Sequence, residues 1–208
     1  KQEGKKTPHL AVVLVGNNPA SETYVGSKIK ACERVGFQST LIKLPDTIDE
    51  ATLLKEIKKL NEAPSIDGFI VKSPLPKQIS DSNVVNAISP AKDVDGFHPE
   101  NLGRMALNMP AYLPATPYGV VQLLDRYNIP TAGKHCVVMG RSHIVGLPMS
   151  LLMVRNAKPG NCTVTICHSK TENVKQYTLQ ADILIVATGQ VESVTADMVK
   201  EGAVVVDV

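Results

Sequence analysis

Tyr24 and Lys28 stand four residues apart and share one face of any helix that contains them. Val25, Ile29 and Cys32 form the neighbouring apolar stripe, so the pair borders a core instead of standing in open solvent. A lysine so placed is partly desolvated, and its pKa is expected to fall toward a value useful for proton transfer. The bland alternative is a tyrosine packed beside a solvated lysine. A second lysine, Lys72, closes the run Asp67-Gly-Phe-Ile-Val and is followed by Ser73-Pro74-Leu-Pro76. A strand ending in so rigid a loop delivers Lys72 and Ser73 to the carboxyl edge of a sheet, where ligands bind. Asp93-Val-Asp95 sets two carboxylates in a loop. Calcium would require further oxygen ligands, none of which follow at the right spacing, so no metal site is expected. Asp93 reads as a turn cap and Asp95 as a ligand contact.

The second half carries Gly140-Arg-Ser-His-Ile-Val-Gly146-Leu-Pro148 between the apolar run Cys136–Met139 and an apolar helical stretch, Met149–Arg155. Strand, glycine turn and helix together aim backbone N–H groups and a helix N-terminus at a phosphate. The spacing is GxSxxxG, one residue longer than the dinucleotide fingerprint and with Ser142 at its middle glycine, so an ordinary strand-to-helix turn stays open as a reading. The next strand ends in Cys167-His168-Ser169-Lys170, where an NAD site would carry a carboxylate for the ribose hydroxyls. A donor-rich end with Arg141 in the preceding turn favours NADP, whose extra phosphate Arg141 and Ser169 would bind. Gly189, closing Val186-Ala-Thr-Gly189, lies where a third parallel strand would let a cofactor backbone pass closely, or is simply a strand-end glycine.

These residues need a scaffold of alternating strands and helices. Strands are expected at Leu10–Val15, Thr40–Leu44, Gly68–Val71, Cys136–Met139, Thr163–Cys167, Ile183–Ala187 and Ala203–Val206. Between them fall apolar residues at three and four spacing, such as Leu53-Leu54-Ile57-Leu60, which predicts mostly parallel sheets covered by helices. A helix capped by Ser21 is expected to run to Gly36. The stretch Pro90 to Pro117 holds five prolines and breaks the rhythm. It divides an N-terminal α/β domain, 1–115, from a Rossmann-type domain, 116–208, the latter opening on a helix capped by Thr116 with Pro117 at its first position. No repeat beyond this alternation is visible.

With 43% hydrophobic and 20% charged residues, the 208-residue chain can bury one large or two modest cores. Its longest apolar runs are strand-sized, far below the roughly 20 residues of a membrane span, so no membrane partner is expected. Twenty-two basic against twenty acidic residues alternate in sign, which disfavours nucleic acid as a partner. Cys32, Cys136, Cys162 and Cys167 show no metal-ligand spacing, and reduced, buried thiols in the cytoplasm are expected. Lys1–Thr7 reads as the polar tail of a helix already under way, and the final apolar run Ala203–Val208 as a strand needing a following loop, which suggests a fragment of a longer protein.

Taken in order, Val15-Gly-Asn-Asn-Pro-Ala-Ser21 with Tyr24-x-x-x-Lys28, Asp67-Gly-Phe-Ile-Val with Pro74-Leu-Pro-Lys77, Lys92-Asp-Val-Asp-Gly-Phe-His98, Ala115-Thr-Pro117, Gly140-Arg-Ser-x-Ile-Val-Gly146-x-Pro148, Cys167-His-Ser169 and Ala196-Asp-Met-Val-Lys200 resemble the methylenetetrahydrofolate dehydrogenase/methenyltetrahydrofolate cyclohydrolases of one-carbon metabolism over nearly the whole chain. The resemblance implies a cytoplasmic, homodimeric, two-domain α/β enzyme with folate in a cleft between the domains and NADP on the second. Tyr24 would stack on the folate, Lys28 would be the catalytic lysine, Asp95 would hydrogen-bond the pterin ring, and Pro74 would line the substrate site. Gly140, Arg141, Ser142, Ser169 and Gly189 would face the cofactor. Hydride transfer to NADP⁺ would give methenyltetrahydrofolate, and water attack the formyl derivative.

The chain departs from the family where Lys72-Ser73 stands in place of a usual Gln-Leu, His143 in place of Asn and Leu147 in place of Lys. A second ammonium at Lys72 should disfavour the charged form of Lys28 and weaken hydrolysis more than hydride transfer. Two other readings follow: a dehydrogenase with impaired cyclohydrolase, and an inactive folate- or nucleotide-binding module. A short-chain dehydrogenase is disfavoured, because its Tyr-x-x-x-Lys pair follows the dinucleotide turn and here precedes Gly140.

Overall fold

The computed structural model describes residues 6–208. The chain divides into two compact units, Lys1–Glu100 and Asn101–Val208, each with its own parallel sheet. In the first unit β1 (His9–Val15), α1 (Pro19–Val35), β2 (Gln38–Leu44), α2 (Glu50–Glu62), β3 (Gly68–Lys72) and α3 (Asp81–Ala87) follow one another. α4 (Pro99–Ala106) crosses the boundary between the units. α5 (Ala115–Arg126), β4 (His135–Met139), α6 (Gly146–Val154), β5 (Thr163–Cys167), α7 (Val174–Thr178), β6 (Ile183–Val186) and β7 (Val204–Asp207) complete the second. All seven expected strands form, and every pairing is parallel.

Ala11 to Val15 are all buried because helices cover both faces of the first sheet. Ala11, Val13 and Val15 pack with Leu53 and Ile57 of α2, whereas Val12 and Ile70 pack with Val25 of α1. The second sheet repeats the plan. Cys136 and Val138 meet Val121 and Leu124 of α5 and Met149 and Leu152 of α6, while Val137 and Met139 pack on the opposite face with Leu184 and Val174. The strand orders are β2-β1-β3 and β5-β4-β6-β7. In each, the chain leaves the first strand toward one neighbour and returns on its other side, leaving a switch point at the carboxyl ends of β1 and β3 and of β4 and β6, where ligands enter such sheets.

Several helix boundaries differ from expectation. α1 is capped by Asn18, whose Oδ1 accepts the Ser21 N–H at 3.1 Å, and not by Ser21. Pro19, with its ring-fixed φ, takes the first helical position and moves the start upstream. Gly36 closes α1 in the left-handed conformation, as expected. α5 begins at Ala115 after Pro114, with no side-chain cap, so Thr116 lies inside the helix. The proline-rich stretch read as a plain junction contains α4. For residues 1–5, the expected helical tail Lys1–Thr7 falls outside the described residues, and Lys6 and Thr7 are not helical.

A repeat does exist, at the amino edges of the sheets. His9 opens β1 and donates its N–H to Asp67 Oδ2 at 2.8 Å, and its Nε2 meets Thr40 Oγ1 at 2.8 Å. His135 opens β4, donates its N–H to Asp182 Oδ2 at 3.0 Å, and its Nε2 meets Thr165 Oγ1 at 2.9 Å. Thr40 lies two residues beyond the register partner of His9, and Thr165 two beyond that of His135. Each aspartate also binds a lysine, Lys6 on Asp67 and Lys200 on Asp182.

Candidate functional site

In the first unit a glycine positions the acidic loop. A Cβ on Gly68 would lie 2.2 Å from Val94 Cγ1, so only glycine lets the chain after Lys92 settle against β3. Phe69 N–H then donates to Lys92 O at 3.0 Å, and Phe69 and Asp93 form a parallel bridge. Asp93, 3% exposed, accepts the Phe97 and His98 N–H groups, the turn-capping role expected of it. Lys92 binds the carbonyls of Leu60 and Ala63 and so caps α2.

Asp95 is thereby carried to Lys28. Lys28 Nζ lies 3.2 Å from Asp95 Oδ1, with the side chains 26% and 21% exposed, and 4.9 Å from the centre of the Tyr24 ring. Lys72 Nζ stands 5.0 Å from the same ring and hydrogen-bonds the Ser73 carbonyl. Tyr24, Lys28, Lys72 and Asp95 thus converge, and the exposed Pro74 follows directly on Ser73. Two ammonium groups on one ring are cation–π contacts, favourable in themselves.

The expected fall in the Lys28 pKa does not occur. Burial lowers it, but the Asp95 carboxylate and the Tyr24 side chain outweigh burial and hold it above the ordinary lysine value. The decisive partner, Asp95, lies 67 residues away in sequence. Lys28 in this state is an ammonium, a proton donor and electrostatic anchor.

In the second unit the turn after β4 is forced by close approach. A Cβ on Gly140, whose φ is +125°, would lie 2.4 Å from Ala187 O, and one on Gly146 would lie 2.2 Å from Gly140 O. Ser142 Oγ accepts the N–H groups of Val145 and Gly146 at 3.1 and 3.4 Å, which holds the turn that starts α6. Neither contact uses its hydroxyl proton, which a serine can still donate. Arg141 and Ser169 are both exposed, each two residues beyond the register pair Met139 and Cys167 of the adjacent strands. The His168 loop is braced by its own Thr171 and Lys170. Gly189, with φ +64° and open space at its Cβ position, lines a cavity of about 580 Å³ that also takes in Thr188, Ser193 and Asp207. Exposed cationic and hydroxyl donors beyond β4 and β5, with no carboxylate in either Gly140–Gly146 or His168–Lys170, fit a phosphate-bearing dinucleotide. Sequence reasoning missed Ala187 and Gly68, whose roles are backbone contacts with no side-chain signal. The pairing of Gly68 with an Asp-Val-Asp-Gly loop was the trace available for the second.

All four cysteines are free and buried; burial pushes the Cys162 thiol up to about 11. Among the described residues, no group of three His, Cys, Asp or Glu side chains converges, and no helix is long and apolar enough to cross a membrane.

Residues 1–95 match the family described as tetrahydrofolate dehydrogenase/cyclohydrolase, catalytic domain, and residues 114–208 its NAD(P)-binding domain. The chain is 67% identical over 208 residues to the bifunctional protein FolD of Cytophaga hutchinsonii, spanning 100% of this chain and 72% of that protein. It is similar to the crystal structure of the bifunctional methylenetetrahydrofolate dehydrogenase/cyclohydrolase of Campylobacter jejuni, with a TM-score of 0.92, 47% identity, and 96% and 70% of the two chains covered. The Trypanosoma brucei enzyme, solved with NADP cofactor and an inhibitor, is similar with a TM-score of 0.89 and 32% identity over 95% and 67% of the chains.

Proposed function

The chain belongs to the tetrahydrofolate dehydrogenase/cyclohydrolase family, and from that premise we propose that it oxidises methylenetetrahydrofolate to methenyltetrahydrofolate with NADP⁺ and hydrolyses that product to formyltetrahydrofolate. The observation that carries this reading is the convergence of Tyr24, Lys28 and Asp95 in one partly buried cluster.

Tyr24, 45% exposed, offers a ring on which a planar pterin stacks. The Asp95 carboxylate accepts the paired N–H donors along the 2-amino-4-oxo edge of that ring, and Pro74 supplies an apolar wall. The methylene carbon already receives electron density from the folate nitrogens, so oxidation chiefly requires positioning. NADP⁺ supplies the hydride acceptor. Gly140 and Ser142 shape its turn, Arg141 and Ser169 hold its extra phosphate, and Gly189 lets its backbone pass. Hydrolysis makes a further demand, a group that moves protons at the attacking water, and that is the work of Lys28. Lys72 shares the Tyr24 ring and tunes this lysine.

In this reading residues 1–115 handle folate and 116–208 handle NADP. The protein works in the cytoplasm, which its free, buried thiols support. It forms a homodimer through the cofactor unit, which the unpaired edge of β5 supports and sedimentation would test.

Lys28→Met is the direct test. Hydrolysis of methenyltetrahydrofolate is expected to fall by about 10²–10⁴-fold, the usual worth of a positioned proton-transfer group, with hydride transfer falling less. Unchanged hydrolysis would refute the assignment.

A further inference from the structure

The contact that defines the resting site is one that hydrolysis cannot use. An ammonium has no lone pair to accept a proton from water, and Lys28 is held 3.2 Å from Asp95 Oδ1. The charged and titratable groups around it are Tyr24 on its own helix, Lys72 at the end of β3, which meets the same ring at 5.0 Å, and Asp95 in the loop packed on β3. Of these only Asp95 carries a negative charge. Asp95 is therefore the larger of the two partners that hold the proton on Lys28, and the only one a ligand's paired N–H donors can take up.

A pterin edge is suited to that task. It presents parallel N–H donors and carries no positive charge, so it satisfies a carboxylate in the geometry that a guanidinium would use and draws it away from a neighbouring cation. Lys28 is then left three-quarters covered, with the Lys72 ammonium on the same Tyr24 ring and no counter-charge. We propose that occupation of Asp95 by the substrate's pterin edge deprotonates Lys28, so that the site acquires its base only when substrate is seated. This rests on the function proposed above. On binding, the ammonium gives one proton to bulk water. As the water O–C bond forms, the Lys28 lone pair takes one proton from that water, restoring the ammonium and leaving a neutral hydroxyl adduct in place of the methenyl cation. Empty sites keep a charged, unreactive lysine.

The test is an NMR titration of the full chain labelled at lysine side-chain nitrogen, with the Lys28 signal identified by its loss in Lys28→Arg. In the free protein Lys28 is expected to titrate above the ordinary lysine range. Saturating tetrahydrofolate, the pterin-bearing probe, should bring the midpoint down by about three pH units or more, the fall that leaves the amine largely neutral near pH 8 and the size seen when a covered lysine loses its counter-charge. Asp95→Asn should show the same fall with no ligand. Saturating p-aminobenzoylglutamate, which lacks the pterin edge, should leave the midpoint in place. Calorimetry separates the two ways of failing. Tetrahydrofolate that binds without moving Lys28 overturns the release while leaving the folate assignment intact. Tetrahydrofolate that does not bind overturns both. Should Asp95→Asn fail to fold by circular dichroism, the ligand titration of the unaltered chain decides alone.

Discussion

Gly140 approaches Ala187 so closely that a Cβ on the glycine would stand 2.4 Å from the alanine carbonyl oxygen. Ala187 N–H donates to Met139 O at 2.8 Å, so the ends of β4 and β6 are drawn together at the switch point of the second sheet. Both residues owe their importance to backbone atoms. Gly140→Ala must displace a carbonyl and also adopt a φ of +125°, strain worth about 1–3 kcal/mol. The variant should melt earlier and bind NADP at least about tenfold more weakly, while tetrahydrofolate binding at the Tyr24 cluster persists. Unaltered NADP affinity by calorimetry would show that this convergence does not serve the cofactor.

In the proposed function cofactor choice falls to Arg141 and Ser169, both exposed at adjacent strand ends. Ser169→Asp places a carboxylate where the extra phosphate is expected to lie. Preference for NADP over NAD, read as the ratio of kcat/KM values, should fall by about tenfold or more, equivalent to about 1.4 kcal/mol. Arg141→Ala should move the ratio the same way by a smaller factor, since the side chain is solvated. A ratio unmoved by either change would place the phosphate elsewhere.

The fold was largely legible because its strands are buried on both faces. Runs such as Val12-Val13-Leu14-Val15 carry that burial openly, and all seven strands appeared where expected. Helix ends were less legible, since Asn18 and Ser21 are both good caps and only Pro19 decides between them. α4 was hidden by Pro99 and Gly103, residues that signal a break when no packing partner is visible. The structure brings Tyr24, Lys28, Lys72 and Asp95 of the first unit together, but the charge on Lys28 is not legible in the sequence, because Asp95 is a tertiary neighbour. The amino-edge repeat is hard to see in the sequence because it rests on three residues, a His and a Thr on two strands and an Asp just before a third. Their equivalence appears only in the register.

Lys72 bears on the balance of the two reactions. Its ammonium meets the Tyr24 ring and binds the Ser73 carbonyl, and it pairs with no carboxylate among the described residues. Lys72→Gln removes a like charge and supplies a neutral donor and acceptor. Because that like charge favours the neutral amine that takes the proton from water, hydrolysis should fall relative to hydride transfer when both are followed in one sample, the reverse of the expectation from sequence. An unchanged ratio would mean that Lys72 does not influence the proton-transfer step.

Asp182 ties the base of the second sheet through His135 N–H and Lys200. The Lys200 hydrogen bond, then that of His135, holds its carboxyl down to about 2. A folded-state pKa below the unfolded value means that the stabilisation is complete above the unfolded value of 3.8 and is lost as pH falls through about 2. Asp182→Asn should therefore melt earlier than the parent at about pH 6, with the gap narrowing between 3.8 and about 2 and closing below. A melting gap as wide under strong acid as near neutrality would contradict this role.

The most direct measurement mixes the purified protein with methylenetetrahydrofolate and NADP⁺, following reduced nicotinamide and methenyltetrahydrofolate separately. Nicotinamide reduction with NADP⁺, weaker reduction with NAD⁺, and disappearance of the methenyl compound faster than its uncatalysed decay are expected. No reduction with either dinucleotide, in a sample that binds both ligands, would contradict the proposed function.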